Sequence, residues 1–406
     1  PHPKEVEYQE LLGFGGAFTE AGAVTLDKMS EENRNEIIDA YFDSEKGLNY
    51  SICRTHINSC DFATGNYHYL QENDTEFKSF SIERDRQSLI PFIKDAQKKS
   101  KKELKIFASP WSPPGWMKTS GKMNQGGKLK KEFRELWAKY YVKYIEEYAK
   151  EGIDIWGITV QNEPKAVQTW DSCVYTAEEE RDFVKNYLGP ILKDSYENIK
   201  IIVWDHNKER VFDRADCILS DPSANKYVWG IGFHWYSGDH FEALQILHDR
   251  YPDKKLIFTE GCREGKAMGY WNTGESYAHD IIGDLNNGSV AWVDWNMVLD
   301  EMGGPNHVGN YCNAPIIADT KNDQVNYETS YYYLGHFSKF ISPGSKRIGF
   351  SRFDNSLELT TFKTPEGKVV AVIMNRNDFE IPFVLRTKYG IVETAIKQHA
   401  IMTIIY

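Results

Sequence analysis

The stretch WGITVQNEPK (156–165) opens apolar and β-leaning, then stops on Asn162, Glu163 and Pro164. A run built for a core that ends on a carboxylate, with a proline fixed behind it, reads as a buried strand whose tip reaches solvent at one end of a sheet. Seven other runs share its texture: 13–18, 50–57, 104–111, 199–206, 227–236, 255–260 and 290–296. Together with 155–161 they make eight, separated by long stretches of helical period such as 130–151 and 177–193. The runs are apolar throughout rather than alternating, as expected when a parallel sheet is buried on both faces. Eight β-then-α units, closed by a helix over 327–340, predict the α/β class and a (β/α)8 TIM barrel. The rival is a doubly wound sheet, which usually needs fewer units, and no GxGxxG follows the first run.

Beyond residue 340 the texture changes. Short strands are expected at 357–362, 369–374, 379–385 and 401–406, separated by turn signals such as Pro365-Glu366-Gly367 and Asn375-Arg376-Asn377-Asp378. The predicted organisation is a barrel over 13–345 and a small side β-sandwich over 346–406, to which residues 1–12 add.

The bulk properties bound the function. Net charge is −11, from 48 Lys+Arg against 59 Asp+Glu, which disfavours a nucleic-acid partner. The basic run Lys98-Lys99-Ser100-Lys101-Lys102 reads as a solvated helix end. Eleven Trp, 24 Tyr and 21 Phe are rich even for a large core and suit surfaces that stack on sugar rings. Six cysteines without CxxC spacing argue against zinc and against a dense disulfide framework. No apolar run is long enough to span a bilayer. No signal peptide is visible in a chain that begins at Pro1 rather than Met, and the expectation is a soluble protein, cytoplasmic or secreted.

In a barrel the reacting groups sit where strands end at the C-terminal face. Glu163 lies just past the fourth strand, and Glu260 ends the seventh, in KKLIFTEGC (254–262). Two glutamates facing each other across a barrel mouth are what glycoside hydrolysis needs, one to protonate the leaving oxygen and one to attack the anomeric carbon. Other tips carry matching chemistry. The second strand offers Arg54 and then Asp61, the third Trp111, the sixth His234 and Tyr236, and the eighth Asp294, Trp295 and Asn296. Trp and Tyr give apolar faces to a pyranose, while Asp, Asn and His bond its hydroxyls. Singly, Arg54 and Asp61 read as an ion pair and His234 as a core imidazole; their joint placement at one face favours a sugar site.

GFGGAFTEAGA (13–23), SCDF (59–62), ASPWSPPGWMKTSG (108–121), VQNEPKAVQTWDSC (160–173), FHWYSGDHF (233–241), FTEGC (258–262) and DWNMVLDEMGGPNHVGN (294–310) together resemble glycoside hydrolase family 30, and most of all its bacterial glucosylceramidase-like members. The resemblance runs in order over 13–317 and weakly through the sandwich. It implies a retaining mechanism with Glu163 as acid/base and Glu260 as nucleophile, and sugar-binding positions at Arg54, Asp61, Trp111, Asn162, His234, Tyr236 and Trp295. Asn310 is implied nearer the leaving group. Asn162 is expected to bond the sugar 2-hydroxyl, and Asp61, Trp111 and Trp295 to hold the far hydroxyls, which favours a glucose-like sugar. Neither metal nor organic cofactor is required.

Two departures bear on what the resemblance implies. Only 12 residues precede the first strand, where family members carry more sandwich chain. The loops after Glu163 and Glu260 differ among members, so the aglycone stays open: a glycolipid, another β-glucoside, or an oligosaccharide cut by an endo-β-1,6-glucanase. Apolar loops around Trp170 and Trp271 would suit a lipid substrate. A carbohydrate-binding protein on a dead barrel is the rival from another class, but it would have lost a carboxylate, and both are present. Glu163 is expected to be held protonated by its neighbouring carboxylate, and Glu260 to be ionised.

Overall fold

The computed structural model describes residues 1–264 and 271–406. After β1 (His2–Glu10), the eight apolar runs form β2 (Gly13–Phe18), β3 (Ile52–Ile57), β4 (Lys105–Pro110), β5 (Ile155–Thr159), β6 (Lys200–Asn207), β7 (Val228–His234), β8 (Lys255–Glu260) and β9 (Ser289–Asn296). They pair in parallel, each with the next, and β9 returns to β2 to close the barrel.

Side-chain parity explains why these runs are apolar on both sides. Ile52, Phe107, Ile202, Ile257, Ala291 and Val293 form their own cluster inside the barrel, with Trp156 and Trp229 packed against it. Their chain neighbours, such as Cys53, Ile106, Ala108, Ile201, Val203, Leu256 and Trp292, join the larger core. Alternate residues thus serve two cores, and each strand loses its polar face. Gly15 marks the closest strand contact: a Cβ there would lie 1.6 Å from the Ile52 carbonyl oxygen, so β2 and β3 can approach only because that position has no side chain.

The helix Arg134–Lys150 buries Tyr140, Tyr141, Tyr144 and Tyr148. The helix Ala177–Phe183 starts on a capping box between Thr176 and Glu179. Lys98 and Lys99 fall in the last turn of the helix Leu89–Lys99, where cations offset the helix dipole. Among the described residues, no helix is long and apolar enough to cross a membrane.

A small sheet of β10 (Val298–Asp300), β11 (Ile316–Asp319) and β12 (Gln324–Tyr327) follows the barrel. The helix expected over 327–340 spans Thr329–Ser338, because Tyr327 is the last residue of β12. The remaining strands are β13 (Lys346–Gly349), β14 (Glu358–Lys363), β15 (Val369–Asn375), β16 (Ile381–Thr387), β17 (Gly390–Ile396) and β18 (Ala400–Ile405). β1, β13, β14, β15 and β18 make one sheet, and β16 and β17 make a two-stranded second sheet. The sequence reading assigns no strand to β13 or β17. β13 has only four residues, and most of β17 is solvent-exposed, so neither shows a sustained apolar face.

Candidate active site

The opening stretch leaves its ladder early. β5 stops at Thr159, and the backbone then turns into the barrel mouth: the Asn162 amide donates to the Pro110 carbonyl (2.8 Å) and the Glu163 amide to the Asp205 carbonyl (2.9 Å). Glu163 adopts φ 47°, and Trp204 and Asp205 adopt φ 72° and 52°. Left-handed backbone at three non-glycine residues is costly and clusters at functional sites. The Trp204–Asp205 turn coincides with a register slip between β6 and β7, a bulge that re-aims the end of β6 inward.

The mouth holds a cavity of about 150 Å³, lined by Asp61, Phe62, Trp111, Asn162, Glu163, Trp170, His206, Tyr236, Glu260, Cys262, Trp295, Asn310 and Cys312 among others. That is below the ~300–1,000 Å³ of sites for drug-sized ligands and suits a single ring. Eight of the ten residues singled out in the sequence line it: Glu163, Glu260, Asp61, Trp111, Asn162, Tyr236, Trp295 and Asn310. The other two, Arg54 and His234, are fully buried beneath it. Asp294 does not line the cavity; it is buried and accepts from the Tyr277 hydroxyl (3.1 Å). Asn296 accepts from Thr19 (2.6 Å).

Arg54 is the hub of the lower layer. Its guanidinium donates to Glu260 (2.5 Å), Asn162 (2.8 Å), Asp205 (2.8 Å) and Ser109 (2.9 Å). It also lies 4.7 Å and 5.5 Å from the ring centres of Trp111 and Trp295, which stack on each other at 5.1 Å. Asp205, also fully buried, accepts from Thr159 (2.6 Å) and Thr259 (2.6 Å) as well and lies 3.0 Å from His234 Nε2. The sequence reading missed Asp205. Its only linear signal is a carboxylate near the end of an apolar run, the same signal that singles out Glu163.

His234 ties the two glutamates together. Its Nδ1 is 3.3 Å from Glu163 Oε1 and 4.0 Å from Glu260 Oε1, so those two oxygens lie no further apart than the sum of these distances, 7.3 Å. Tyr236 donates to the same Glu260 oxygen (3.0 Å). His206, at the end of the β6 bulge, places its Nδ1 3.6 Å from Glu163. Glu163, His206 and His234 bring one potential ligand atom each within 4.8 Å of one another, but both His234 nitrogens already face carboxylates, Glu163 and Asp205.

Charges in the cluster do not balance. Two cations, Arg54 and His234, face three carboxylates, Asp205, Glu163 and Glu260, and the His206 imidazole beside Glu163 is lowered by burial. Burial opposes the charge of Asp205, but Arg54, His234 and Thr159 hold it well below the usual carboxylate range. Burial also opposes the charge of Glu163, yet the hydrogen bond from His234 and the neighbouring His206 and His234 imidazoles hold it down. Burial raises Glu260, and His234 and Arg54 only partly offset this. The ligand-free site therefore differs from the sequence expectation: Glu163 is lowered and Glu260 is raised, the reverse of the order expected for a resting acid and nucleophile. Two histidines face Glu163, and their approach from β6 and β7 exists only in the fold.

His234 has a consequence for stability. Burial lowers it, but Glu260, Asp205 and Glu163 outweigh that and raise it from 6.5 to about 9. Between those pH values the folded chain holds a proton that the unfolded chain has lost. The stabilisation is therefore complete below pH 6.5 and is lost as pH rises through about 9. Equilibrium unfolding across this window is expected to lose up to about 1.4 kcal/mol per pH unit. His234→Gln should flatten that slope, and an unchanged slope would mean that His234 is neutral in the folded state.

Trp170 lies at the cavity, whereas Trp271, expected near the mouth, donates to the His399 carbonyl (2.6 Å) and packs edge-on against Tyr333. Trp271 thus faces the β-sandwich rather than the mouth. Residues 265–270 of the loop after Glu260 lie outside the described residues.

A closed parallel barrel with two carboxylates converging at its mouth, walled by stacked tryptophans, is the architecture of a glycoside hydrolase. Models of the glycosyl hydrolase family 30 TIM-barrel domain and of that family's β-sandwich domain match residues 11–341 and 344–404, and the chain belongs to this family. It is 36% identical to lysosomal acid glucosylceramidase of Mus musculus, over 99% of this chain and 82% of the mouse protein. The structure of SrfJ from Salmonella typhimurium superposes with a TM-score of 0.96 at 38% identity, covering 100% of this chain and 91% of SrfJ. The endo-β1,6-glucanase BT3312 superposes with a TM-score of 0.90 at 27% identity, covering 98% and 92%.

Proposed function

We propose that the chain is a retaining β-glucosidase that removes a terminal glucose from glucosylceramide or a related β-glucoside, with Glu260 as nucleophile and Glu163 as acid/base. The observation that carries this reading is the meeting of both glutamates on one imidazole nitrogen. The 7.3 Å bound on their Oε1–Oε1 distance supports the retaining range of about 5–5.5 Å and overlaps the inverting range of about 6.5–9.5 Å only at its lower end. The small cavity supports a single terminal sugar over a chain threaded through a groove. The likeness to the mouse glucosylceramidase supports the lipid aglycone.

The chemistry turns on which glutamate carries the acid proton. A sugar in the cavity develops positive charge at its anomeric carbon, beside Glu260. That charge stabilises the Glu260 carboxylate and shifts the preferred proton position to Glu163, which faces the leaving oxygen. Glu260 then attacks as Glu163 protonates the aglycone, giving a covalent glycosyl-enzyme. Glu163, now ionised and steadied by His234 and His206, takes a proton from water for the second displacement. Arg54 and Tyr236 hold Glu260 in line for attack. Asn162, fixed by Arg54, bonds the sugar 2-hydroxyl, while Asp61, Trp111 and Trp295 grip the far side. Asn310, at the cavity wall, lies toward the leaving group.

The test is hydrolysis of an aryl β-glucoside, glucosylceramide and a β-1,6-glucan. Turnover of the first two is expected, and release of short oligosaccharides from the glucan alone would overturn the terminal-glucose reading. Glu163→Gln should lose about 10³-fold on unactivated glucosides, within the range of general acid catalysis, but spare the first step of substrates with good leaving groups. Equal losses on both kinds of substrate would remove Glu163 from the acid role.

A further inference from the structure

Cys262 stands two residues past Glu260, and Cys312 two residues past Asn310; both are buried in the body of the protein yet touch the cavity. Their sulfurs are 3.0 Å apart. The backbone fixes this approach on both sides. The Asn313 amide donates to the Arg263 carbonyl (2.9 Å), Glu264 and Cys312 form an antiparallel bridge, and the Cys312 amide donates to the Gly303 carbonyl (3.0 Å). Trp235 holds the Cys262 carbonyl (3.2 Å). Two thiols at this distance, on segments already registered, need to close by only about 1 Å to reach the ~2.05 Å of a disulfide. The other four cysteines are also free thiols.

We propose that Cys262 and Cys312 are a disulfide-forming pair at the wall of the active-site cavity, taking a small two-electron oxidant of the peroxide class. One thiol sulfur attacks a peroxide oxygen, the O–O bond breaks, and a sulfenic acid forms with release of one water. The second thiol sulfur attacks that sulfenic sulfur, a second water leaves, and the S–S bond forms. Two electrons pass from the two thiols to the peroxide. A dithiol reverses the step by exchange. The bond ties the segment that carries Asn310 to the tip of β8, covalently fixing the wall between Glu260 and Asn310. Oxidation is faster at alkaline pH because the thiolate is the nucleophile, and the Cys312 contact and burial both push the Cys262 thiol up.

The experiment treats the folded full chain with hydrogen peroxide at pH 8.5, quenches it, alkylates it under denaturing conditions and maps its peptides. A peptide joining Cys262 to Cys312, dissolved by dithiothreitol, is the expected result. The bond closes a span of 50 residues, so the oxidised protein should melt roughly 5 °C higher than the reduced one. Cys312→Ala should abolish both the linked peptide and the shift. Sulfinic or sulfonic acid on either cysteine without the link overturns the proposal, as does a link to a different cysteine, persistence of both thiols, or a lower melting temperature on oxidation.

Discussion

Glu260→Gln is expected to lose at least about 10⁴-fold in kcat on an aryl β-glucoside, about 5.5 kcal/mol of barrier. Glutamine fills the same space; its one amide oxygen can still accept from Arg54 while its NH2 donates to the Tyr236 oxygen, so the cavity survives while the nucleophile does not. The variant should also be at least as heat-stable as the parent. Burial raises Glu260 against the pull of His234 and Arg54, so its ionised form is a cost to the fold that the neutral amide removes. Loss of turnover without loss of stability is the signature of a group kept for chemistry. A small anion such as azide, added to Glu260→Ala with an activated substrate, should restore turnover and give a product of inverted configuration, because it attacks from the face the truncated side chain has vacated. A variant that keeps activity within tenfold of the parent would place the nucleophile elsewhere, and the retaining assignment would fall with it.

The parts legible in the sequence share one physical trait: they repeat along the chain. Apolar runs buried on both faces announce themselves, and the eight barrel strands form where those runs lie. The tips carrying Glu163 and Glu260 stand out because a carboxylate interrupts such a run. Asp205 interrupts one too, but its meaning depends on a bulge that turns Trp204 and Asp205 left-handed, and on Thr159, Thr259, Arg54 and His234 meeting it from other strands. None of that is periodic. The same holds for the direction of the Glu163 shift, decided by two imidazoles from different strands. Cys262 and Cys312 are 50 residues apart and match no spacing rule. β17 is lost for the opposite reason: in a two-stranded sheet exposed on most of its length, apolar and polar positions carry little contrast.

Arg54→Leu is expected to destabilise the protein by about 3–5 kcal/mol, the range for breaking a buried ion pair from one side. The guanidinium has no exposed surface, and its removal leaves Asp205 and Glu260 as neighbouring buried carboxylates with one cation, His234, between them. Asn162 loses the donor that orients it, and Trp111 and Trp295 lose the charge lying against their faces. Arg54→Lys should recover only part of the loss, since one ammonium cannot reach Glu260, Asn162 and Asp205 as the planar fork does. Adding Asp205→Asn to Arg54→Leu removes one uncompensated charge, so the double variant should be more stable than the sum of the two single losses predicts, by about 1–3 kcal/mol. Urea midpoints at constant m-value measure all five proteins on one scale, the parent, the three single variants and the double variant. If Arg54→Leu unfolds within 1 kcal/mol of the parent, Asp205 must take up a proton at little cost. The cluster would then be held by its neutral hydrogen bonds from Thr159 and Thr259, and the charge balance around the two glutamates would have to be redrawn.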